Sequence, residues 1–169
     1  MFPWGTHQFI VIAGSLSPTK FGNKTWSPRS LGNVNGFVIG AQNRGKLVVE
    51  LFQISDEEAA MEYFGGIKTK WFKNDYDTEI NLVKFSDDHG TSRVIELIDN
   101  YILNQIQSPI KYPTAGLGTN SNSWAQTVIE LAGGKVEGDM SGIDVSNDKR
   151  IPKTYFEAFC PVRPRPRVN

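Results

Sequence analysis

The sequence predicts an α+β fold in which an antiparallel β-sheet packs against a few helices. Two observations support this prediction. The first half of the chain holds short β-branched and aromatic segments separated by Gly, Asn and Pro turns, whereas the second half holds two segments with apolar residues at helical spacing. A chain of 169 residues, 39% of them hydrophobic, can bury one core. We therefore expect one domain, residues 1–155, and an extended Pro/Arg-rich tail, residues 156–169.

The first predicted strand spans residues 7–13, because its centre is a run of β-branched residues. Residues 15–35 are rich in Ser, Pro, Gly and Asn, and we interpret them as a long loop. Trp26 in this segment is either an anchor for the loop or a wall of a substrate site.

A hairpin follows the loop, with strands at residues 37–42 and 46–54 joined by the turn Asn43-Arg44-Gly45. Two further strands are predicted at residues 67–72 and 79–85, with a polar turn between them.

Three helices complete the prediction. A short acidic helix, residues 56–64, is expected to be capped by Ser55 and to end at a pair of glycines. A long amphipathic helix spans residues 91–107 and stops before a Ser-Pro pair, and another spans residues 121–132 after Asn120. After it the chain is interpreted as a loop.

Composition excludes several classes of function. Lys+Arg and Asp+Glu are 18 each, so no global basic field is present to bind nucleic acid. Cys160 is the single cysteine, and His7 and His89 are the only histidines, so we expect no metal site and no other cofactor. No apolar run approaches the roughly 18 residues of a membrane-spanning helix, so no integral membrane segment is predicted.

The segment 118–124, Gly-Thr-Asn-Ser-Asn-Ser-Trp, holds the candidate nucleophile. Asn120 is a good N-cap, and it places Ser121 in the first helical turn, near unpaired N–H groups and the positive end of the helix dipole. Such a place suits a nucleophile and the oxyanion it creates, and Asn120 either assists there or only caps. Ser123 is the alternative nucleophile, although it also fits the third-position partner of the cap. A Ser/Asn-rich cap without chemistry explains the same residues.

A serine nucleophile needs a neighbouring base, which here is one of the two histidines. His7 opens a strand, where the backbone can hold it, whereas His89 lies in a polar turn and is expected to be solvated. Cys160 lies among prolines and arginines, away from any helix start, and we interpret it as an incidental thiol.

A histidine that opens a strand, followed much later by a nucleophile motif at a helix start, resembles the circularly permuted papain-like fold. Lecithin retinol acyltransferase-like proteins, desumoylating isopeptidases and many bacterial cell-wall amidases share it. The matching segments are residues 7–12 and 120–124, the latter followed by 128–133. The second segment is similar to a bacterial motif, Gly-Pro-Asn-Ser-Asn-Thr-Phe, with Thr119 in place of proline. Ser121 stands where other members carry cysteine, as a natural variant, an engineered inactive form or a degenerate site.

The resemblance implies roles for these residues. Ser121 would attack a carbonyl, and His7 would take its proton and later pass it to the leaving group. A polar residue on the next strand orients the histidine in such proteins. Gln42 meets this requirement if residues 37–42 lie antiparallel beside residues 7–13, whereas Gln8 points to the opposite face of its strand.

The resemblance further implies a hydrolase that cleaves an amide bond, with peptidoglycan peptides as the first substrate class. The domain-like start without a signal peptide fits a bacterial effector or toxin domain, exported as part of a larger protein and acting in the periplasm of a target cell. An immunity protein would then be its partner. One alternative is a lipid-directed phospholipase or acyltransferase acting on acyl-lipid, with Phe21 and Trp26 exposed to the membrane interface. Another is a non-catalytic binding module on a decayed papain-like scaffold.

Overall fold

The computed structural model describes residues 7–66, 79–113, 118–138 and 149–160. This part of the chain is an α+β fold with antiparallel sheets and three helices, which confirms the predicted class. The strands are β1 (Phe9–Ala13), β2 (Thr19–Phe21), β3 (Lys24–Trp26), β4 (Arg29–Ser30), β5 (Asn35–Asn43), β6 (Leu47–Leu51), β7 (Val83–Lys84) and β8 (Lys135–Val136). The helices are α1 (Ile54–Gly65), α2 (Gly90–Gln107) and α3 (Ser121–Leu131), and a short 3₁₀ helix spans Lys153–Phe156.

The main sheet is built around β5, which is buried along most of its length. β1 runs antiparallel along one side of β5, with Phe9 opposite Gly40. β4 and β6 pair antiparallel with its other side, β6 as the second strand of the predicted hairpin. The antiparallel relation expected between residues 7–13 and 37–42 is therefore confirmed.

The long loop predicted at residues 15–35 is wrong in part, because it contains the hairpin β2–β3 and the short strand β4. Gly22 adopts a left-handed φ of 65°, and with Asn23 it makes the tight turn that joins the two strands. The hairpin docks on α2 through the Gly22 N–H, which donates to Asp99 Oδ1 at 2.6 Å. Phe21 is buried, so the exposed position expected for it is also wrong.

The helices follow the predictions closely, except for one cap. Gln53, not Ser55, caps α1: its side-chain oxygen accepts the N–H groups of Ser55 and Asp56. A glutamine side chain is long enough to reach forward to these groups, whereas Ser55 already lies inside the helix. Gly66, with a φ of 64°, ends the helix as expected from the glycine pair.

The predicted strand at residues 79–85 is reduced to the two residues of β7, which pair with β8 in a region interpreted as loop. A strand of two residues is too short to have a periodic pattern that sequence could reveal. The strand predicted at residues 67–72 and the turn after it lie outside the described residues.

The core lies between the sheet and helices α2 and α3. Tyr101 and Trp124 are fully buried at the helix interface, with ring centroids 6.2 Å apart in an edge-to-face arrangement. Burial raises the pKa of the Tyr101 hydroxyl well above its ordinary value. Phe156 of the 3₁₀ helix packs on Tyr101 at 5.2 Å and its carbonyl accepts from Asn100, so the chain remains attached to α2 at this point. The Pro/Arg-rich residues from 161 onward lie outside the described residues.

Within these ranges none of the helices is both long enough and apolar enough to cross a bilayer.

Candidate functional site

His7 lies just before β1 and contacts a buried carboxylate. Its Nε2 is 3.0 Å from Oδ1 of Asp56, whose side chain is 2% exposed, whereas the His7 side chain is 37% exposed. A carboxylate accepts hydrogen bonds, so Nε2–H donates to Asp56 and Nδ1 stays available for a second partner. A histidine held in this way can take up a proton on its free nitrogen while the carboxylate fixes the ring orientation.

The Asp56 carboxylate occupies a place prepared by β5. Its Oδ2 accepts a hydrogen bond from Gln42 Nε2 at 2.7 Å, and Ser55 Oγ lies 3.2 Å from Oδ1. A Cβ atom added at Gly40 would overlap Oδ2, so the carboxylate rests directly on the strand backbone. Asp56 therefore needs both the missing side chain at position 40 and the amide at position 42.

Gln42 is thus linked to the histidine through Asp56, which binds both side chains. The continued β1–β5 register brings His7 and Gln42 opposite each other, but the amide of Gln42 binds Asp56 and not the imidazole. In the sequence, Asp56 is simply the first residue of the predicted acidic helix, and nothing next to it marks a contact with His7. The signal that could have found it is a glycine and a glutamine two positions apart in an otherwise apolar strand.

Ser121 is the first residue of α3 and is 4% exposed. Its Oγ lies 3.4 Å from Oδ1 of Asn122, and the same oxygen accepts the backbone N–H of Gln8 at 2.9 Å. The start of β1 and the start of α3 therefore meet at Asn122, although their sequence positions are more than a hundred residues apart. No hydrogen bond joins the His7 ring to the Ser121 hydroxyl in the described part of the chain.

Asn120 is the N-cap of α3, as predicted. Its side-chain oxygen accepts the N–H groups of Asn122 and Ser123 at 3.0 and 3.1 Å, and Ser123 Oγ accepts the Asn120 N–H at 3.3 Å. Ser123, the alternative nucleophile, is fully buried in this capping box. Its geometry is that of a capping group, which was the other interpretation of this residue.

Gln8 faces the opposite side from His7, as the strand alternation predicts. Its side-chain oxygen accepts a hydrogen bond from Gln126 Nε2 in α3 at 3.2 Å. Consecutive residues of the same segment thus reach two helices: His7 reaches α1, and Gln8 reaches α3.

The other candidate residues, His89 and Cys160, belong to other parts of the fold than the His7–Asp56 pair. His89 is exposed at the start of α2, and Cys160 is an exposed free thiol. Among the described residues there is no group of three or more His, Cys, Asp or Glu side chains that could hold a metal ion.

An open groove of about 560 Å³ lies between the β2–β3 hairpin and the free edge of β6. Trp26 forms part of its wall, 6.0 Å from the ring of Phe52, and Lys24 Nζ lies 3.8 Å from the centroid of the Trp26 ring. Trp26 is therefore an anchor of the hairpin and a groove wall at once. Phe52 is also the one non-glycine residue with a positive φ, 55°, in the part of the chain that is described.

No protein-family model, curated protein or solved structure matches this chain. A functional assignment therefore depends on the contacts of its own residues, above all on the His7–Asp56 pair and on the neighbouring start of α3.

Proposed function

We propose that the chain is an acyl-processing hydrolase in which Ser121 is the nucleophile, His7 the general base and Asp56 the residue that orients His7. The observation that supports this most is the His7–Asp56 hydrogen bond; the next residue, Gln8, donates its backbone N–H to Asn122 in the first turn of α3. A histidine fixed by a buried carboxylate and a serine at a helix start are the three groups that a nucleophile–base–orienter arrangement requires.

The proposed reaction begins when Ser121 Oγ attacks the carbonyl carbon of the bound substrate. Since Asp56 holds Nε2, His7 Nδ1 takes the hydroxyl proton, and the carboxylate stabilises the imidazolium that forms. His7 then returns this proton to the leaving amine, and water hydrolyses the acyl-enzyme with the same base. The His7 ring must approach Ser121 to about 2.6–3.2 Å in the substrate complex, a contact that is often longer in a free enzyme.

The developing oxyanion needs donors near Ser121. The N–H groups of Asn122 and Ser123 are already bound to Asn120, which leaves the N–H of Ser121 itself as the backbone donor of the first turn. Asn120 is used as a cap, so in this proposal it shapes the helix start and does not bind the oxyanion.

The substrate class is proposed from the resemblance to permuted papain-like amidases: an amide bond in peptidoglycan peptides. The α+β fold, the antiparallel β1–β5 pair and the helix that begins at Ser121 are compatible with that resemblance. In this proposal the domain belongs to an exported bacterial effector that acts in the periplasm of a target cell, and an immunity protein is its partner.

A non-catalytic module on the same scaffold is the second candidate. The absence of a hydrogen bond between His7 and Ser121 in the described part of the chain favours it. The lipid-directed alternative has less support, because Phe21 is buried and does not face a membrane interface.

The test is release of muropeptides from purified sacculi, with phospholipid vesicles as a parallel substrate. We expect muropeptides from the unmodified chain, and at least a 1000-fold loss in Ser121→Ala and in His7→Ala. Ser92→Ala and His89→Ala are the matched controls, since both residues are exposed and away from the site. Circular dichroism of all variants should be unchanged.

Three other outcomes decide between the alternatives. Full turnover in His7→Ala contradicts the catalytic assignment, and free fatty acid without muropeptides favours the lipid-directed function. Activity that appears only in Ser121→Cys identifies the serine as a replaced cysteine.

A further inference from the structure

We propose that the groove beside β6 binds an extended peptide main chain, which pairs with the free N–H and C=O groups of Leu51. The groove is then the peptide subsite of the hydrolase, and this role rests on the proposed function. The peptide chemistry is inferred from the edge of β6 and not from the catalytic residues.

β6 is an edge strand, and the β5–β6 ladder determines which of its groups point outward. The Phe52 N–H donates to the Val38 carbonyl, so residues 48, 50 and 52 bond inward to β5. Residues 47, 49 and 51 then direct their N–H and C=O groups away from the sheet. These are the groups that any further strand would use.

Two of these three positions are already covered. The Leu47 N–H donates to the Ile110 carbonyl. Both the N–H and the C=O of Val49 are bound by the Gln105 side-chain amide. Leu51, in contrast, lies in the groove wall, and its outward groups have no hydrogen-bond partner among the described residues. The part of the edge without a hydrogen-bond partner is therefore in the groove wall, where Leu51 is 8% exposed.

The neighbouring position shows which chemistry fits this edge. The Gln105 side chain accepts the Val49 N–H at 2.8 Å and donates to the Val49 carbonyl at 3.2 Å, so a primary amide imitates one residue of a paired strand. Leu51 is two residues further along the same edge and presents the same pair of groups. A peptide amide satisfies both of them, whereas an acyl chain satisfies neither.

The groove also offers places for side chains. The backbone turns at Phe52, where the positive φ ends the edge and directs the chain into α1. Non-glycine residues in this conformation are rare and cluster at ligand sites. Beside the turn, Trp26, Ile102 and the 70% exposed Ile54 form an apolar surface.

The charges favour a peptide with an acidic group. Of the ionic residues that line the groove, Arg44 and Glu50 pair with each other through two hydrogen bonds. The Lys24 ammonium lies over the Trp26 ring and has no carboxylate partner among the described residues. An acidic side chain or a terminal carboxylate next to the apolar residue would complete this site.

The groove lies close enough to the His7–Asp56 pair for one extended peptide to reach both. Glu50 in its wall lies opposite Gly40, on which the Asp56 carboxylate rests. The paired peptide lies one strand spacing outside β6, so three spacings, about 14 Å, separate it from β1. About five extended residues cover that distance.

The experiment uses the Ser121→Ala chain, so that binding is measured without turnover. The ligand is the capped tetrapeptide acetyl-Ala-Leu-Ala-Glu-amide, and four analogues each carry one N-methylated peptide bond. We expect saturable binding, slower hydrogen exchange of the Leu51 amide, and about a tenfold loss of affinity for one or two of the N-methyl analogues. Equal affinity for all four analogues would overturn the proposal, as would unchanged exchange at Leu51.

Lys24→Met tests the charge. It should lower affinity for the glutamate peptide about threefold and leave the glutamine peptide unaffected, whereas Lys20→Met on the same hairpin should change neither. Dodecanoate is the competing probe: if it binds the groove and the peptide does not, the proposal is wrong. Muropeptide release by the unmodified chain tests the hydrolase separately. Failure of peptide binding would therefore overturn the groove proposal alone, and failure of muropeptide release would overturn the hydrolase alone.

Discussion

Helices α1 and α3 both begin against the sheet, and the third residue of each helix has a different use. In α3 this residue is Ser123, which turns back and closes the helix end with Asn120. In α1 it is Asp56, which turns away from its own helix and binds His7 and Gln42. The third residue thus caps the helix in α3, whereas in α1 it holds a histidine from another element. An acidic residue in the first turn of a helix is therefore not only a response to the helix dipole.

The largest expected effect separates these two residues. Asp56→Ala should reduce muropeptide release about 1000-fold, because His7 loses the group that fixes its ring and stabilises its charged form. Ser123→Ala should retain activity and lower the free energy of unfolding by about 1 kcal/mol, the usual loss for a cap. Turnover on sacculi and urea unfolding measure the two quantities. Strong loss of turnover in Ser123→Ala would make that serine the nucleophile and reverse the comparison.

The next effect tests whether Gly40 exists for the carboxylate. Gly40→Ala should lower the free energy of unfolding by about 3 kcal/mol, since the new Cβ overlaps Asp56 Oδ2. In an Asp56→Ala background the same change should cost less than about 1 kcal/mol, because the overlap is removed. Urea unfolding of the four proteins gives the coupling energy. Additive losses would show that Gly40 is needed for another reason.

The smallest effect comes from α2, whose start has an exposed carboxylate. Arg93 and, to a lesser extent, the His89 N–H bind the ionised Asp87, which lowers the pKa of its carboxyl below the usual 3.8. A lowered folded-state pKa contributes stability above about pH 4, and this contribution is lost as pH falls through the lowered value. Thermal unfolding of Asp87→Asn between pH 2 and 6 should show a slightly weaker pH dependence than the unmodified chain. An identical profile would show that solvent screens this carboxylate completely.

Local patterns predicted much of the fold, whereas contacts between distant residues were not predictable. The apolar stripe of α2, the Asn120 cap and the β5–β6 hairpin depend on neighbours in sequence, and all three predictions are confirmed. The three-residue strands β2 and β3 have too few positions for a periodic signal. Their turn, Gly22-Asn23, was the one local sign of that hairpin.

The candidate site likewise has features that depend on neighbours in sequence and contacts between distant residues. β1 runs antiparallel to β5, which is the condition on which the choice of Gln42 depends, but the Gln42 amide binds Asp56 and not the His7 ring. Asp56 is 49 residues from His7, and its inward direction depends on a glycine on a third element, so no local pattern indicates the contact. The pairing of Ser121 with His7 stays a prediction.

The amide of Gln105 has a further consequence for the chain at high concentration. Without it, Val49 and Leu51 would present a continuous row of open donors and acceptors, to which the same edge of a second copy could pair. The Gln105 side chain therefore shortens the part of the β6 edge that another chain can use.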